Sequence, residues 1–249
     1  MLDVRGLSKS FGALAVAQSI DLHLAAGARH ALIGPNGAGK TTLINLLTGT
    51  LRPDAGSIEL GGESLLGLAP YERARRGLAR THQINSLFLD LTPLQSVALA
   101  IAQREGYALR FWRYAERGRQ GGEEAAALLE SVGLQDSLHQ RTRLLPYGQQ
   151  RLLEVALALA GRPKVLLLDE PAAGVSRAGT ERLLGVLERL PAELAILLIE
   201  HDMHVVFRVA RRITVLVGGA VLTEGTPQEI GDDPRVREVY LGKRHAHAA

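Results

Sequence analysis

Gly34-Pro35-Asn36-Gly37-Ala38-Gly39-Lys40-Thr41 fits G-x-x-x-x-G-K-[ST], and no other stretch constrains the chain as much. A short apolar run at 29–33 precedes it. A helical pattern follows from Gly39, carrying Leu43, Ile44, Leu46 and Leu47 and ending near Gly49. A strand, a glycine-rich loop and a helix in that order make a phosphate cradle. Glycines lack a Cβ, so the loop can turn tightly and offer backbone N–H groups to phosphate oxygens. The helix N-terminus adds partial positive charge at the same point. Lys40 supplies a full charge for β- and γ-phosphates, Thr41 a hydroxyl for Mg²⁺, and Thr42 a further hydroxyl for phosphate. A plain glycine-rich turn is the competing reading, and the strand before and helix after weigh against it.

Val165-Leu166-Leu167-Leu168-Asp169-Glu170-Pro171 reads as a buried strand ending in two acids. In an open α/β sheet, ligands sit at the carboxyl ends of strands. Asp169 is thus placed to hold Mg²⁺, and Glu170 to orient and deprotonate an attacking water. Taken alone, the pair is better explained by the preference of helix N-termini for acids. Beside a phosphate loop, the metal-site reading prevails.

The rest of the chain supplies an α/β frame. Residues 20–24 alternate apolar and polar, as a half-buried antiparallel strand does, and 25–27 read as a turn. Residues 52–56 have turn chemistry and lead to a strand at 57–60. From about 91 to 160 the pattern is helical, with the glycines of 118–122 expected to break it. Strand signals at 165–168 and 194–199 flank a helix at 178–190, a βαβ spacing that implies a parallel sheet. Residues 213–222, with Gly218-Gly219, read as a hairpin. Two short helices are expected beyond Thr226, then a disordered tail from Arg244 whose histidines are read as inert.

Composition removes several function classes. The chain has 249 residues and no cysteine, which excludes disulfides, thiolate metal sites and cysteine nucleophiles. Lys+Arg is 29 against Asp+Glu 26, a mild balance, where a nucleic-acid binder usually shows a basic stripe or run. The clusters at 73–76, 110–119 and 141–143 read as solvated helix faces, with anionic lipid heads as a second reading. No apolar stretch approaches the ~18 residues of a membrane span. Residues 1–5 do not open a secretory signal, so none is expected.

Further motifs narrow the class. Leu145-Pro146-Tyr147-Gly148-Gln149-Gln150-Arg151 opens a helix upstream of Asp169 and resembles the signature of ABC-type ATPases, usually LSGGQ. Gln83 resembles that family's Q-loop residue, His201 its switch histidine, and Phe11 its adenine-stacking aromatic. Residues 171–176 occupy the D-loop position. The PYGQQ variant, Asp169 to Gly174, Glu200-His201-Asp202-Met203 and the tail around Glu224-Gly225-Thr226-Pro227 resemble branched-chain amino acid importer ATPases. The insert at 104–122 is most similar to the larger of that system's two ATPase subunits. Pro146 stands where the family has serine, Tyr147 where it has the first glycine, and Ser176 where Asp or Asn is usual.

The resemblance implies an α/β fold: a P-loop, RecA-like, mostly parallel sheet core with an N-terminal antiparallel β-subdomain and an inserted helical subdomain. The implied division is 1–86 with 162–225 for the core, 87–161 for the helical subdomain, and 226–249 for the C-terminal helices and tail. It implies ATP and Mg²⁺ as ligands and two ATPase subunits facing head to tail. ATP would touch Phe11, Gly34, Pro35, Asn36, Gly37, Ala38, Gly39, Lys40, Thr41 and Thr42 of one subunit and Tyr147, Gly148 and Gln149 of the other. Thr41, Gln83 and Asp169 would serve the metal. Glu170, His201 and Gln83 would carry the chemistry. Implied partners are integral-membrane permease subunits and, indirectly, a solute-binding protein, with the ATPase peripheral on the cytoplasmic face of the inner membrane and no nucleic acid bound. Leu87, Phe88 and Leu89 either line a groove for a permease helix or pack in the subdomain core. The rival readings are a lipid-export ABC ATPase and a nucleic-acid-associated one.

Overall fold

The computed structural model describes residues 1–81, 87–106 and 114–241. In chain order it shows β1 (Leu2–Phe11), β2 (Leu14–Leu24), β3 (Arg29–Ile33), α1 (Lys40–Thr48), β4 (Ala55–Leu60), β5 (Glu63–Ser64), α2 (Pro70–Arg75) and β6 (Leu78–Arg80). Then come α3 (Pro93–Arg104), α4 (Tyr114–Ser131), α5 (Tyr147–Ala160), β7 (Val165–Asp169), α6 (Arg177–Glu188), β8 (Ala195–Ile199), α7 (Met203–Val209), β9 (Arg212–Val217), β10 (Ala220–Gly225), α8 (Pro227–Asp232) and α9 (Pro234–Leu241). Contacts divide the chain into two compact units, residues 1–73 with 192–249, and residues 74–191.

The first unit holds two kinds of sheet. An antiparallel sheet of order β2-β1-β4-β5 buries one face, so Ile20, Leu22 and Leu24 point inward while Asp21 and His23 face water. The second kind is parallel: β3 lies between β8 and β9, with Ala31 opposite Leu198 on one side and Ile213 on the other. β8 is buried at every position, as a strand covered on both faces must be, and therefore reads as a continuous apolar run rather than an alternation. β10 closes that sheet's edge antiparallel to β9, across the expected Gly218-Gly219 turn. Arg73, expected on a solvated face, is instead buried. Its guanidinium donates to the Leu46 and Leu47 carbonyls at 2.8 and 2.6 Å, supplying partners that the last turn of a helix lacks. Thr226 and Glu229 form a capping box that starts α8. The tail from Arg244 lies outside the described residues.

The second unit pairs β6 with β7 in parallel, Arg80 opposite Leu167, with α5 packed on β6 and on α3, α4 and α6. Thr92 and Gln95 make a capping box at the start of α3, with Pro93 in its first turn. The glycines at 118–122 do not break the helix: α4 runs unbroken from Tyr114 to Ser131. Each glycine costs about 1 kcal/mol against alanine in a helix. Docking of one face offsets this, since Gly121, Ala125 and Leu129 are buried at a spacing of four. Arg104 fixes the arrangement by gripping Glu124 of α4 with two 2.9 Å bonds and the Ala160 carbonyl of α5 at 2.7 Å. Of the three residues read as groove lining or core, Leu87 is buried, while Phe88 and Leu89 are exposed. Among the described residues, no helix is long and apolar enough to cross a membrane.

Candidate nucleotide site

In the first unit the phosphate loop is held by its backbone. β3 ends at Ile33, and the Ala38 carbonyl accepts from the Gly219 N–H of the β9–β10 turn at 3.0 Å. The Gly219 carbonyl in turn accepts from Gln18 of β2 at 2.8 Å. Gly39 caps α1 with φ +101 and no side-chain cap. A Cβ there would stand 2.5 Å from the Val16 carbonyl, so both the left-handed backbone and the close approach of β2 require glycine. At Gly37, by contrast, a Cβ would meet nothing within 4 Å: that side of the loop is open. Lys40 folds back and donates to the Gly34 and Pro35 carbonyls at 2.7 and 3.1 Å. Thr41 is exposed and Thr42 half-buried at the start of α1. An uncapped helix N-terminus, an ammonium and two hydroxyls around an open loop fit a polyphosphate.

The β1–β2 hairpin that packs Val16 against this loop also carries Phe11 at its tip. The ring is 51 % exposed, with the Lys9 ammonium 5.7 Å from its centroid. At the end of β8, Glu200 is only 1 % exposed, and its carboxylate accepts from the His201 N–H at 3.0 Å. The same oxygen lies 3.8 Å from the His201 ring Nδ1. Asp202 then caps α7 by accepting from the His204 N–H at 2.9 Å. The imidazole of His201 is thereby presented to solvent on a backbone held from below.

In the second unit Asp169 ends β7 and is 3 % exposed. Its Oδ2 accepts from Arg80 Nη2 at 2.8 Å. Glu170 follows with φ +46, a left-handed conformation that costs a side-chain-bearing residue about 1–2 kcal/mol; strain of this kind gathers at functional positions. The Asp169 carboxylate offers hard oxygen donors of the kind that suit Mg²⁺ and, within the first unit, so does the Thr41 hydroxyl. The signature and D-loop segments touch one another. Pro146 precedes α5, and the Tyr147 phenol oxygen accepts from Arg151 Nη2 at 2.7 Å. Arg151 in turn pairs with buried Glu154 at 2.7 Å. Burial pushes the Glu154 carboxyl up, with Arg151 opposing. The Tyr147 ring lies against Gly174, where a Cβ would approach to 3.3 Å. Gln149 accepts from the Ser137 hydroxyl at 3.2 Å. Gln83 lies outside the described residues.

The family model described as ABC transporter matches residues 17–173, the span from β2 through the loop to the acids. The chain belongs to the ABC transporter family. A second model, described as branched-chain amino acid ATP-binding cassette transporter, matches residues 220–246 of the cassette. The cassette is 38 % identical, over 98 % of both chains, to the high-affinity branched-chain amino acid transport ATP-binding protein BraF of Pseudomonas aeruginosa. It is 35 % identical, over 97 % of both, to the lipopolysaccharide export system ATP-binding protein LptB of Acidithiobacillus ferridurans. Among solved structures it resembles the ADP conformation of MJ1267, an ATP-binding cassette of an ABC transporter. That likeness has a TM-score of 0.84 and 28 % identity, and covers 97 % of the cassette and 98 % of that chain.

Two of the cassette's departures from the usual motifs have local reasons. Ser176 caps α6, its hydroxyl accepting from the Gly179 N–H at 3.3 Å, a job that serine does as well as Asp or Asn. Tyr147 turns its phenol onto Arg151 and its ring onto Gly174. Two residues near these motifs, Arg80 and Glu154, were not singled out from sequence, and Glu200 was read only as part of a motif without a role of its own. Each is a charged side chain with a partner, and only a charge in an otherwise apolar strand, as at Arg80 in Leu78-Ala79-Arg80, could have signalled it.

Proposed function

We propose that this cassette is the ATP-hydrolysing subunit of an importer that moves branched-chain amino acids or related small solutes through a membrane permease. The observation that carries this reading is the match of residues 220–246 to the branched-chain cassette model, on a chain whose likeness to BraF runs its full length. The proposed division is a core of 1–86 and 162–225, a helical subdomain of 87–161, and a C-terminal segment of 226–249. The protein sits peripherally on the cytoplasmic face of the inner membrane and pairs head to tail with a second ATPase subunit. It meets permease subunits directly, a solute-binding protein indirectly, and no nucleic acid. The likeness to LptB supports lipid export as a second reading.

The chain's residues divide the work. Backbone N–H groups of the loop and the Lys40 ammonium hold the phosphates. Phe11 offers a ring face to adenine. Mg²⁺, held through Thr41, Asp169 and Gln83, supplies charge neutralisation on the phosphates when bound. Glu170 takes a proton from the attacking water, and His201 contacts the γ-phosphate and helps to hold that water. The N-terminus of α5, with Tyr147, Gly148 and Gln149, faces the partner's nucleotide. Because Pro146 has neither hydroxyl nor N–H, the contact there rests on backbone N–H groups and the helix dipole.

Glu170→Gln tests the chemistry. It should leave ATP binding intact and slow hydrolysis by about 10² to 10⁴-fold, the span for losing a general base. Uptake of labelled leucine by a deletion strain should be restored by the parent gene and not by this variant. Near-parental turnover would remove Glu170 from its role; hydrolysis without any restored uptake of branched-chain amino acids would remove the transport reading.

A further inference from the structure

We infer that Arg80 is a positioning residue for the metal-binding carboxylate: it fixes Asp169 so that one oxygen stays aimed for Mg²⁺ in the absence of metal. This rests on the reading of Asp169 as a magnesium ligand. β6 and β7 run parallel with Arg80 opposite Leu167. Leu167 and Asp169 are two residues apart on one strand, so their side chains leave the same face. From that register the long Arg80 side chain reaches forward to Asp169, and Nη2 donates to Oδ2 at 2.8 Å. The strand end that delivers it is pinned, because the Thr81 N–H donates to the Leu167 carbonyl at 2.9 Å.

The pair is well shielded. Asp169 is 3 % exposed and the Arg80 side chain 15 %. A carboxylate this deep needs a countercharge, since desolvation of a lone ion costs several kcal/mol. A guanidinium supplies one that is always present and has a planar, directional set of donors. The contact falls on Oδ2, and the carboxylate's other oxygen remains for a different ligand. A metal arriving there meets an acid already charge-balanced and held in one rotamer, so binding need not order it. Arg80 also stands three residues before Gln83 in sequence, another of the proposed metal contacts.

The opposite effect is also physically available: a fixed positive charge near a dication repels it. The two effects differ in sign, which makes the test decisive. With the full chain, a fluorescent ATP analogue is titrated first in EDTA and then at fixed nucleotide with increasing Mg²⁺; thermal unfolding without ligand monitors the fold. Arg80→Met should raise the Mg²⁺ half-saturation by about tenfold or more, the usual effect of losing a partner that orients a metal ligand. Affinity in EDTA should stay within about twofold of the parent, since the loop binds phosphates without the metal. Arg80→Lys keeps the charge, and with it the fold, but loses the planar fork; it should still raise half-saturation by about threefold or more. If Arg80→Met leaves the buried acid uncompensated and does not fold, the lysine variant decides alone. A half-saturation unchanged or lowered in Arg80→Met, or fully parental in Arg80→Lys, overturns the inference. Asp169→Asn is the arm that separates failures: if it leaves the Mg²⁺ dependence intact, the reading of Asp169 itself fails.

Discussion

At position 170 the ordinary rank of alanine over glycine should be inverted. Glu170 has φ +46, and a Cβ in that region costs about 1–2 kcal/mol. Glycine relieves this in the folded chain but loses about 0.4–1 kcal/mol through the greater freedom of its unfolded state. The difference leaves Glu170→Gly more stable than Glu170→Ala by up to about 1.5 kcal/mol, centred near 0.8. For a chain of this size, each kcal/mol moves Tm by about 2–4 °C, so the glycine variant should melt roughly 2–3 °C higher. Comparison of these two variants cancels the loss of the carboxylate, which both share. Both should lose hydrolysis by about 10² to 10⁴-fold, so the more stable variant gains nothing in activity. The assay is urea and thermal denaturation without nucleotide, side by side with phosphate release. An alanine variant as stable as the glycine variant, or more so, would refute the claim that the backbone at Glu170 is strained.

Two other predictions concern the first unit. Phe11→Ala should weaken ATP and GTP alike by about 1–3 kcal/mol in equilibrium binding, the usual worth of an aromatic face stacked on a base; unchanged affinity would leave the exposed ring without that role. His30, buried on β3 with Nε2 2.8 Å from the Thr214 hydroxyl, is held below its ordinary 6.5 by burial, opposed by Glu224 and aided by Arg212. The folded chain then binds fewer protons at this site than the unfolded chain. Its contribution to stability is full above pH 6.5 and is lost as pH falls toward the depressed folded value. Urea midpoints between pH 8 and about 5 should therefore drop on the acid side, and His30→Gln should flatten that limb; an equal slope in both proteins would exclude His30 as its source.

How much was legible depends on whether a residue's role is local. The phosphate loop was, because its glycines, lysine and hydroxyls act within eight consecutive residues and flank a strand and a helix with clear periods. β8 and β7 were also legible, since strands buried on both faces advertise themselves as apolar runs. The failures needed tertiary knowledge. Gly118 and its neighbours look like a break until the small residues of α4 are given a surface to dock on. Arg73 looks like a solvated cation until the carbonyl end of α1 is placed beside it. Tyr147 shows in the sequence only as a departure from the usual glycine, and the fold alone reveals that Arg151, one helical turn on, takes its phenol. Arg80 lies far from Asp169 in sequence, and no spacing rule links them; only the register of β6 on β7 does.

The bonds of Lys40 to the Gly34 and Pro35 carbonyls bear on how nucleotide entry is measured. The loop carries its own occupant: the ammonium that is to meet phosphate already satisfies two carbonyls that edge the cradle. Entry of a polyphosphate is then an exchange reaction, and the heat it releases is the difference between two sets of polar contacts rather than the sum of the new ones. Substituting Lys40 alters both sides of that exchange, since it removes a ligand contact and takes a donor from the Gly34 and Pro35 carbonyls, of which Pro35 keeps the Ala38 N–H at 3.1 Å. A Lys40 variant therefore confounds loss of affinity with loss of the loop's internal brace, and the melting behaviour of the ligand-free variant is the quantity that separates them.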